Sequence, residues 1–314
     1  MADWLQQLWD AITAVSVPLL LLGIGFQVGQ TLFVALAWRN ILRYSYPDGG
    51  VRYRQILAYY AGGVGINAVL PASAGTVAML GLFRARIRGA TVPGVLGATV
   101  VQNIFFIAVS AAVYLWLFLD AAGSFDVEFK WFHDHPAATA IILIGGAVLI
   151  WIVGRILYTR FHSAWESAVE GGGIIGERRL FLTQVVGVEA LSYICRMGVN
   201  ATFMHAFGVP VSVENVFLIV AASSISSTVA LLPGAVGAQT ALASVVLKGT
   251  APTEVISAYT IGQAVITTAW SVAFGTILLA REIGWPATKA MFHRRRKGEN
   301  SDSEAAADTL DTSG

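Results

Sequence analysis

The sequence predicts an all-α polytopic membrane protein with about five spanning helices and two re-entrant broken-helix hairpins, arranged as an inverted repeat. The membrane class follows from composition and from long apolar stretches. Of the 314 residues, 56% are hydrophobic and only 12% are charged, whereas soluble domains carry about 25% charged residues. The hairpins follow from a motif, Leu-Pro-x-x-x-Gly, which interrupts two apolar stretches at residues 70–75 and 232–237.

Five apolar segments are long enough to span a bilayer. A spanning helix needs about 20 mostly apolar residues, because the hydrocarbon layer is about 30 Å thick and a helix rises about 1.5 Å per residue. The segment before the first span, residues 1–16, has Trp4, Leu8 and Trp9 on one face, which predicts an interfacial helix. The predicted spans are residues 17–38, 93–119, 137–158, 181–207 and 253–280.

Two other apolar regions, residues 55–83 and 215–247, are predicted to be broken helices. Pro71 interrupts the first region, and Pro233 with Gly234 interrupts the second. Proline lacks a backbone donor and clashes with the preceding helical turn. Each region should therefore form two short helices that meet at the break.

The lysines and arginines predict the orientation, since these residues are retained on the cytoplasmic side of the membrane. They cluster after the first span, after the first broken region, after the third span and in the C-terminal tail. The first broken region has basic clusters at both ends, so it should return to the side it entered from, and the second should enter from the opposite side. We expect a multi-pass protein of the cytoplasmic membrane with a cytoplasmic C terminus.

The membrane domain, residues 17–280, is predicted to contain two repeats of opposite orientation, residues 17–119 and 181–280, joined by the helix at 137–158. Matching positions in the two repeats are Pro71 with Pro233, Gly75 with Gly237, and Pro93 with Pro252. Inverted repeats with paired broken helices are typical of transporters, whose substrate site lies near the membrane midplane. The two breaks should therefore point at each other from opposite faces.

Polar residues on these helices are candidates for a substrate pathway, because unpaired polar groups are costly in hydrocarbon. Glu189 and Arg196 share a helix face but lie about 10 Å apart along the axis, so each should have another partner or line a wet cavity. These polar residues can form either a structural hydrogen-bond network or a pathway for a substrate or protons, and the sequence is compatible with both. Asn67 can hydrogen-bond either the unwound backbone or a ligand. The candidates are Asn67, Pro71, Gly75, Gln102, Asn103, Glu189, Arg196, Pro233, Gly234, Gly237, Gln239 and Gln263.

Several function classes lack support in the sequence. No nucleophile elbow, P-loop, HExxH or dinucleotide fingerprint occurs, and His133 and His135 lack a third metal ligand at suitable spacing. From the missing motifs we expect no metal, no cofactor and no enzymatic activity. The net charge of +1 gives no reason to expect a nucleic-acid partner. In the tail, residues 281–314, the basic run at 294–297 should meet anionic lipid headgroups, and the polar residues after it should be disordered.

The two motifs resemble the membrane region of lysylphosphatidylglycerol synthase/flippase proteins. They are Asn-Ala-Val-Leu-Pro at residues 67–71 with Gly75, and Leu-Pro-Gly-Ala-Val-Gly-Ala-Gln at residues 232–239. The resemblance covers residues 17–280. It implies translocation of an aminoacylated phospholipid between leaflets, while a separate soluble domain attaches the amino acid. The chain stops after the membrane region, so we expect a stand-alone flippase-like domain without synthase activity.

The chain departs from that family's pattern by carrying neutral residues where the motifs carry charged ones. These are Thr76, Met79, Gln102, Asn103, Gln239 and Gln263. The resemblance therefore implies headgroup contacts that differ from those of the best-known members. The leading hypothesis is flippase-like translocation of a lipid or lipid-linked headgroup. One alternative is a transporter or channel for a small polar solute. Another is a non-catalytic membrane partner of an envelope-lipid enzyme. All three functions are compatible with an oligomer.

Overall fold

The computed structural model describes residues 16–69, 74–121, 171–220, 235–247 and 249–289. Within these ranges every regular element is helical. Four helices are long and apolar enough to cross a membrane, which confirms the predicted all-α membrane class. They correspond to four of the five predicted spans. The fifth span, residues 137–158, lies outside the described residues.

The helices are numbered here in chain order. They are α1 (Val17–Ser45), α2 (Tyr53–Val69), α3 (Ala74–Arg86), α4 (Val92–Ala121), α5 (Arg178–Ala206), α6 (Ala235–Val246) and α7 (Thr253–Ile283). Residues 213–220 form a further helical stretch between α5 and α6. A π-helical turn, Leu182–Val186, lies inside α5, which begins at Arg178 rather than at the predicted residue 181.

Prolines mark the start of three long helices. Pro18 lies in the first turn of α1, Pro93 is the second residue of α4, and Pro252 precedes α7. The first turn of a helix has backbone N–H groups without intrahelical partners, so proline loses no hydrogen bond there. The starts predicted at Pro93 and Pro252 are confirmed to within one residue.

The long helices pack in antiparallel pairs. In the α1–α5 pair, Gly23 lies against Phe203 at one end, and the Asn40 Nδ2 donates to the Gln184 carbonyl oxygen (2.9 Å) near the other. Glycines along these contacts let the helix backbones approach closely, as is common between membrane helices. The C-terminal end of α1 therefore lies beside the N-terminal end of α5.

The α2–α7 pair is also antiparallel. Arg54 Nε lies 3.9 Å from Glu282 Oε2 at one end. Toward the other end, a Cβ added at Gly65 would come within 2.9 Å of the Ser271 carbonyl oxygen. The N-terminal end of α2 therefore lies beside the C-terminal end of α7.

Helices α2 and α3 form a tightly packed hairpin. The Tyr59 and Phe83 rings are 6.3 Å apart near its open end. Nearer the tip, Gly75 is buried, and a Cβ there would overlap the carbonyl oxygen of Gly63. Of the predicted break, residues 70–73 lie outside the described part, but the flanking helices are those that the sequence predicts.

This close approach makes Gly75 sensitive to substitution. Gly75→Ala is expected to lower the free energy of unfolding by about 1–2 kcal/mol, because the added methyl forces the two helices apart. Gly81→Ala on the same helix is the matched control, since a Cβ there meets nothing within 4 Å. Thermal unfolding of the detergent-solubilised protein measures both, and equal midpoints for the two variants would contradict the packing described.

The hairpin tip lies near the middle of the long helices. Ala68, at the end of α2, lines the same pocket as Gln27 of α1 and Thr268 of α7. Beyond that level α1 continues for about 15 Å to Val17, and α7 for about 22 Å to Thr253. The hairpin thus lies beside the long helices over only part of their length.

Helix α6 reaches the same region from the opposite end of α7. A short turn joins α6 to α7, which makes the two helices neighbours. The Oγ1 atoms of Thr240 and Thr260 are 3.1 Å apart, and Leu247 and Tyr259 are buried in one cluster. From that turn, α6 runs back toward the middle of α7. Of the second break, residues 232–234 lie outside the described part, and Gly237 lies in the first turn of α6.

Equivalent connections in the two halves share a backbone conformation. Gly50 (φ 69°) joins α1 to the first hairpin and Gly89 (φ 77°) leaves it. Gly208 (φ 77°) and Gly249 (φ 85°) occupy the corresponding places in the second half. These φ values are readily reached only by glycine, so each of the four connections contains a glycine with a positive φ.

The apolar core is divided into two clusters. One includes Trp38, Tyr59 and Phe83, and lies toward the end of the bundle where α2 begins. The other includes Phe203 and Tyr259 and lies toward the opposite end. A layer that is rich in polar side chains separates them.

Candidate functional site

Asn67 closes the tip of the α2–α3 hairpin. Its Oδ1 accepts hydrogen bonds from the backbone N–H groups of Gly75 (2.7 Å) and Thr76 (3.3 Å), and its Nδ2 donates to Thr76 Oγ1 (2.9 Å). The first N–H groups of a helix have no intrahelical partner, so Asn67 caps α3 from the preceding helix. Of the two roles that the sequence allowed, the structure shows the bond to the backbone.

A polar pocket of about 320 Å³ lies beside this tip, between the two apolar clusters. We call it the central pocket. Its walls come from α1, α2, α5 and α7, and most of its lining side chains are amides or hydroxyls. The lining residues are Gln27, Gln30, Ala68, Arg196, Val199, Asn200, Gln263, Thr267, Thr268 and Ser271.

One wall of the central pocket is held by a hydrogen-bond network. Asn200 Oδ1 accepts from Gln263 Nε2 (3.2 Å) and from the buried Tyr259 hydroxyl (3.1 Å), and its Nδ2 donates to the Arg196 carbonyl oxygen (2.8 Å). Asn200 thus links α5 to α7. The predicted residues Arg196 and Gln263 are brought together here, although they are distant in sequence.

Helix α1 contributes two further polar side chains to the lining of the pocket, Gln27 and Gln30. The side-chain amides of Gln27 and Gln30 make no hydrogen bond within the described part of the chain. Each amide has donors and an acceptor that can serve a bound molecule. Arg196 of α5 also lines the pocket, and the lining as a whole is suited to a polar or phosphate-bearing group.

Gln102 and Glu189 form a second, buried pair. Gln102 Nε2 donates to Glu189 Oε1 across 3.0 Å, and the two residues are 7% and 0% exposed. Glu189 Oε2 has no hydrogen-bond partner in the described residues. The expectation that Glu189 finds a partner other than Arg196 is therefore confirmed. The amide of Asn103 bonds its own helix instead, donating to the Thr99 carbonyl oxygen (2.8 Å).

The remaining candidates belong to the breaks. Pro71, Pro233 and Gly234 lie outside the described residues. Gly237 and Gln239 lie in the first turns of α6. Whether these five residues contact a substrate stays a prediction.

Gln27 and Gln30 are not among the residues predicted from the sequence. They are three residues apart, so they share one face of the first span, and a polar pair in an otherwise apolar helix was the available signal. Thr267, Thr268 and Ser271 were missed because hydroxyls are common in membrane helices, where they bond their own backbone. Thr267 Oγ1 does so, donating to the Gln263 carbonyl oxygen (2.8 Å).

The chain was compared with known families and proteins. A family model described as the lysylphosphatidylglycerol synthase TM region matches residues 4–275. No curated protein and no solved structure matches the chain. The matched range contains every residue that lines the central pocket.

Proposed function

Because the chain belongs to the lysylphosphatidylglycerol synthase membrane-region family, we propose that it translocates a lipid or lipid-linked headgroup across the membrane, as a flippase does. Membership confirms the resemblance seen in the two motifs and indicates a role connected with membrane lipids. The matched region is the membrane part of the family, and we propose no enzymatic activity for it.

The central pocket is the observation that carries this proposal. Amide, hydroxyl and guanidinium groups lie together near the middle of an otherwise apolar bundle. A polar group there is costly unless it makes a hydrogen bond or contacts a bound molecule. The same helices also carry exposed apolar residues, such as Leu21 on α1, Ile194 on α5 and Val265 on α7. A headgroup could cross through the polar interior while its acyl chains stay in the surrounding lipid.

The hairpins would supply the pathway between the two membrane faces. The first tip ends beside the pocket at the middle of α1 and α7, and α6 approaches the same part of α7 from the other end. Matched glycine turns support an inverted repeat of the two halves. We therefore propose that both breaks are tips of re-entrant hairpins, one from each face, and that they border the central pocket.

The distribution of charge supports an orientation. The described arginines other than Arg196 lie at the end of the bundle where α1 finishes and α2 begins. Basic residues are retained on the cytoplasmic side. We propose that this end faces the cytoplasm in the cytoplasmic membrane, which also places the C terminus there.

A lipid-translocation assay tests the proposal. The full-length protein, reconstituted in phosphatidylcholine vesicles with trace fluorescent lipids, is expected to accelerate transbilayer movement of at least one headgroup class over protein-free vesicles. Aminoacyl, glycosyl and polyprenyl-phosphate lipids are compared, and an outer-leaflet quencher reports the fraction that has moved. Absence of acceleration for all three classes would contradict translocation. Saturable uptake of a small polar solute by the same vesicles would instead support the transporter alternative.

A further inference from the structure

A second pocket, of about 620 Å³, lies at the basic end of the bundle. We call it the arginine pocket. It is formed by the last turns of α1, the turn that follows and the start of α5. Its lining residues are Arg39, Asn40, Arg43, Tyr44, Pro47 and Gln184. None of them lines the central pocket, and along α1 Asn40 lies about 15 Å from Gln30.

An irregularity in α5 helps to build this pocket. Gln184 lies in the π-helical turn Leu182–Val186, and such turns occur frequently at functional sites. Asn40 Nδ2 donates to the Gln184 carbonyl oxygen (2.9 Å), which holds α1 against this turn. The same Asn40 accepts from Arg39 Nη1 through its Oδ1 (3.2 Å). The Arg39 guanidinium is thereby held in position.

The arginine pocket has more donors than the described protein groups use. Its lining contains two guanidinium groups and no carboxylate. Arg39 Nε is buried and has no hydrogen-bond partner in the described residues. Arg43 also lines the pocket and is exposed. Guanidinium groups present planar sets of N–H donors that match the paired oxygens of a phosphate.

We propose that the arginine pocket binds a phosphate group, either in the headgroup of an anionic phospholipid or as free phosphate. Arg39 supplies the fixed donors, the exposed Arg43 adds a second positive charge, and the side chain of Gln184 adds an amide. Tyr44, with an apolar ring and a polar hydroxyl, suits the boundary between headgroups and acyl chains. This inference does not depend on translocation through the central pocket.

Ligand-dependent thermal stabilisation of the detergent-solubilised full-length protein tests the inference. The probes are dioctanoyl phosphatidylglycerol, dioctanoyl phosphatidylcholine and inorganic phosphate. We expect saturable stabilisation by the phosphatidylglycerol, with an apparent Kd about tenfold weaker in Arg39→Gln and in Arg43→Gln. Arg88→Gln is the matched control, because Arg88 is an exposed arginine at the same end that does not line the pocket.

The three probes separate the sources of phosphate. Saturation by phosphatidylglycerol alone indicates a lipid site, and arginine-dependent saturation by inorganic phosphate indicates a free-phosphate site. Equal binding of phosphatidylcholine and phosphatidylglycerol, an equal loss in Arg88→Gln, or unchanged affinity in Arg43→Gln would overturn the inference. Since Arg43 is exposed, its variant keeps the test valid even if Arg39→Gln does not fold. A failed translocation assay leaves these outcomes unaffected.

Discussion

Ala68→Trp is expected to slow transbilayer lipid movement about tenfold or more, which corresponds to at least about 1.4 kcal/mol in the barrier. Ala68 is exposed at the end of α2 and lines the central pocket, whose volume is about 320 Å³. An indole ring there would occupy much of the space through which the proposed headgroup passes. The vesicle assay with an outer-leaflet quencher measures the rate.

Val77→Trp is the matched control for this substitution. Val77 lies on the same hairpin, is 69% exposed and does not line the pocket. Its variant should translocate lipid at the rate of the unsubstituted protein. If Ala68→Trp also keeps that rate while the protein remains folded, the central pocket is not the pathway.

Gln102→Leu is expected to lower the free energy of unfolding by about 2–3 kcal/mol, because it removes the one hydrogen bond that the described residues give to the completely buried Glu189 carboxyl group. Glu189→Leu should be destabilising as well, since it leaves the buried Gln102 amide without its partner. Chemical or thermal unfolding in detergent measures each variant.

The double variant Gln102→Leu/Glu189→Leu distinguishes a specific bond from two independent packing effects. Replacing both partners by apolar side chains leaves no unpaired polar group, so the double variant should be more stable than the sum of the single losses predicts. We expect a coupling of about 1–2 kcal/mol, in the upper range for hydrogen bonds between membrane helices. Strictly additive losses would show that the pair does not act as a unit.

The spans were predictable because each depends on local properties. Length and hydropathy identify a bilayer-crossing helix without reference to its neighbours, and Pro93 and Pro252 mark helix starts through their own covalent structure. The predicted flanks of the first break were confirmed for the same reason. The π-helical turn at Leu182–Val186 had no such local signal and was not predicted.

The candidate site was predictable only in part. Polar residues on spanning helices, such as Arg196 and Gln263, were recognisable as candidates. Nothing in the sequence predicted that these two residues line the same pocket. Their meeting depends on how α5 and α7 approach each other through Asn200. Gln102 and Glu189 were likewise separate candidates until packing placed their side chains 3.0 Å apart.

By itself, the sequence determined the membrane class, the family and the four long helices that the structure describes. Hydropathy, proline positions and motifs are properties of the local sequence and do not depend on tertiary contacts. The tertiary structure decided which polar groups meet. It brought Asn67 into hydrogen bonds with the backbone of α3, paired Glu189 with Gln102, and brought Gln27 and Asn200 to the lining of one pocket. The physical reason is that an unpaired polar group in an apolar bundle must find a partner in space, and helix packing alone selects that partner.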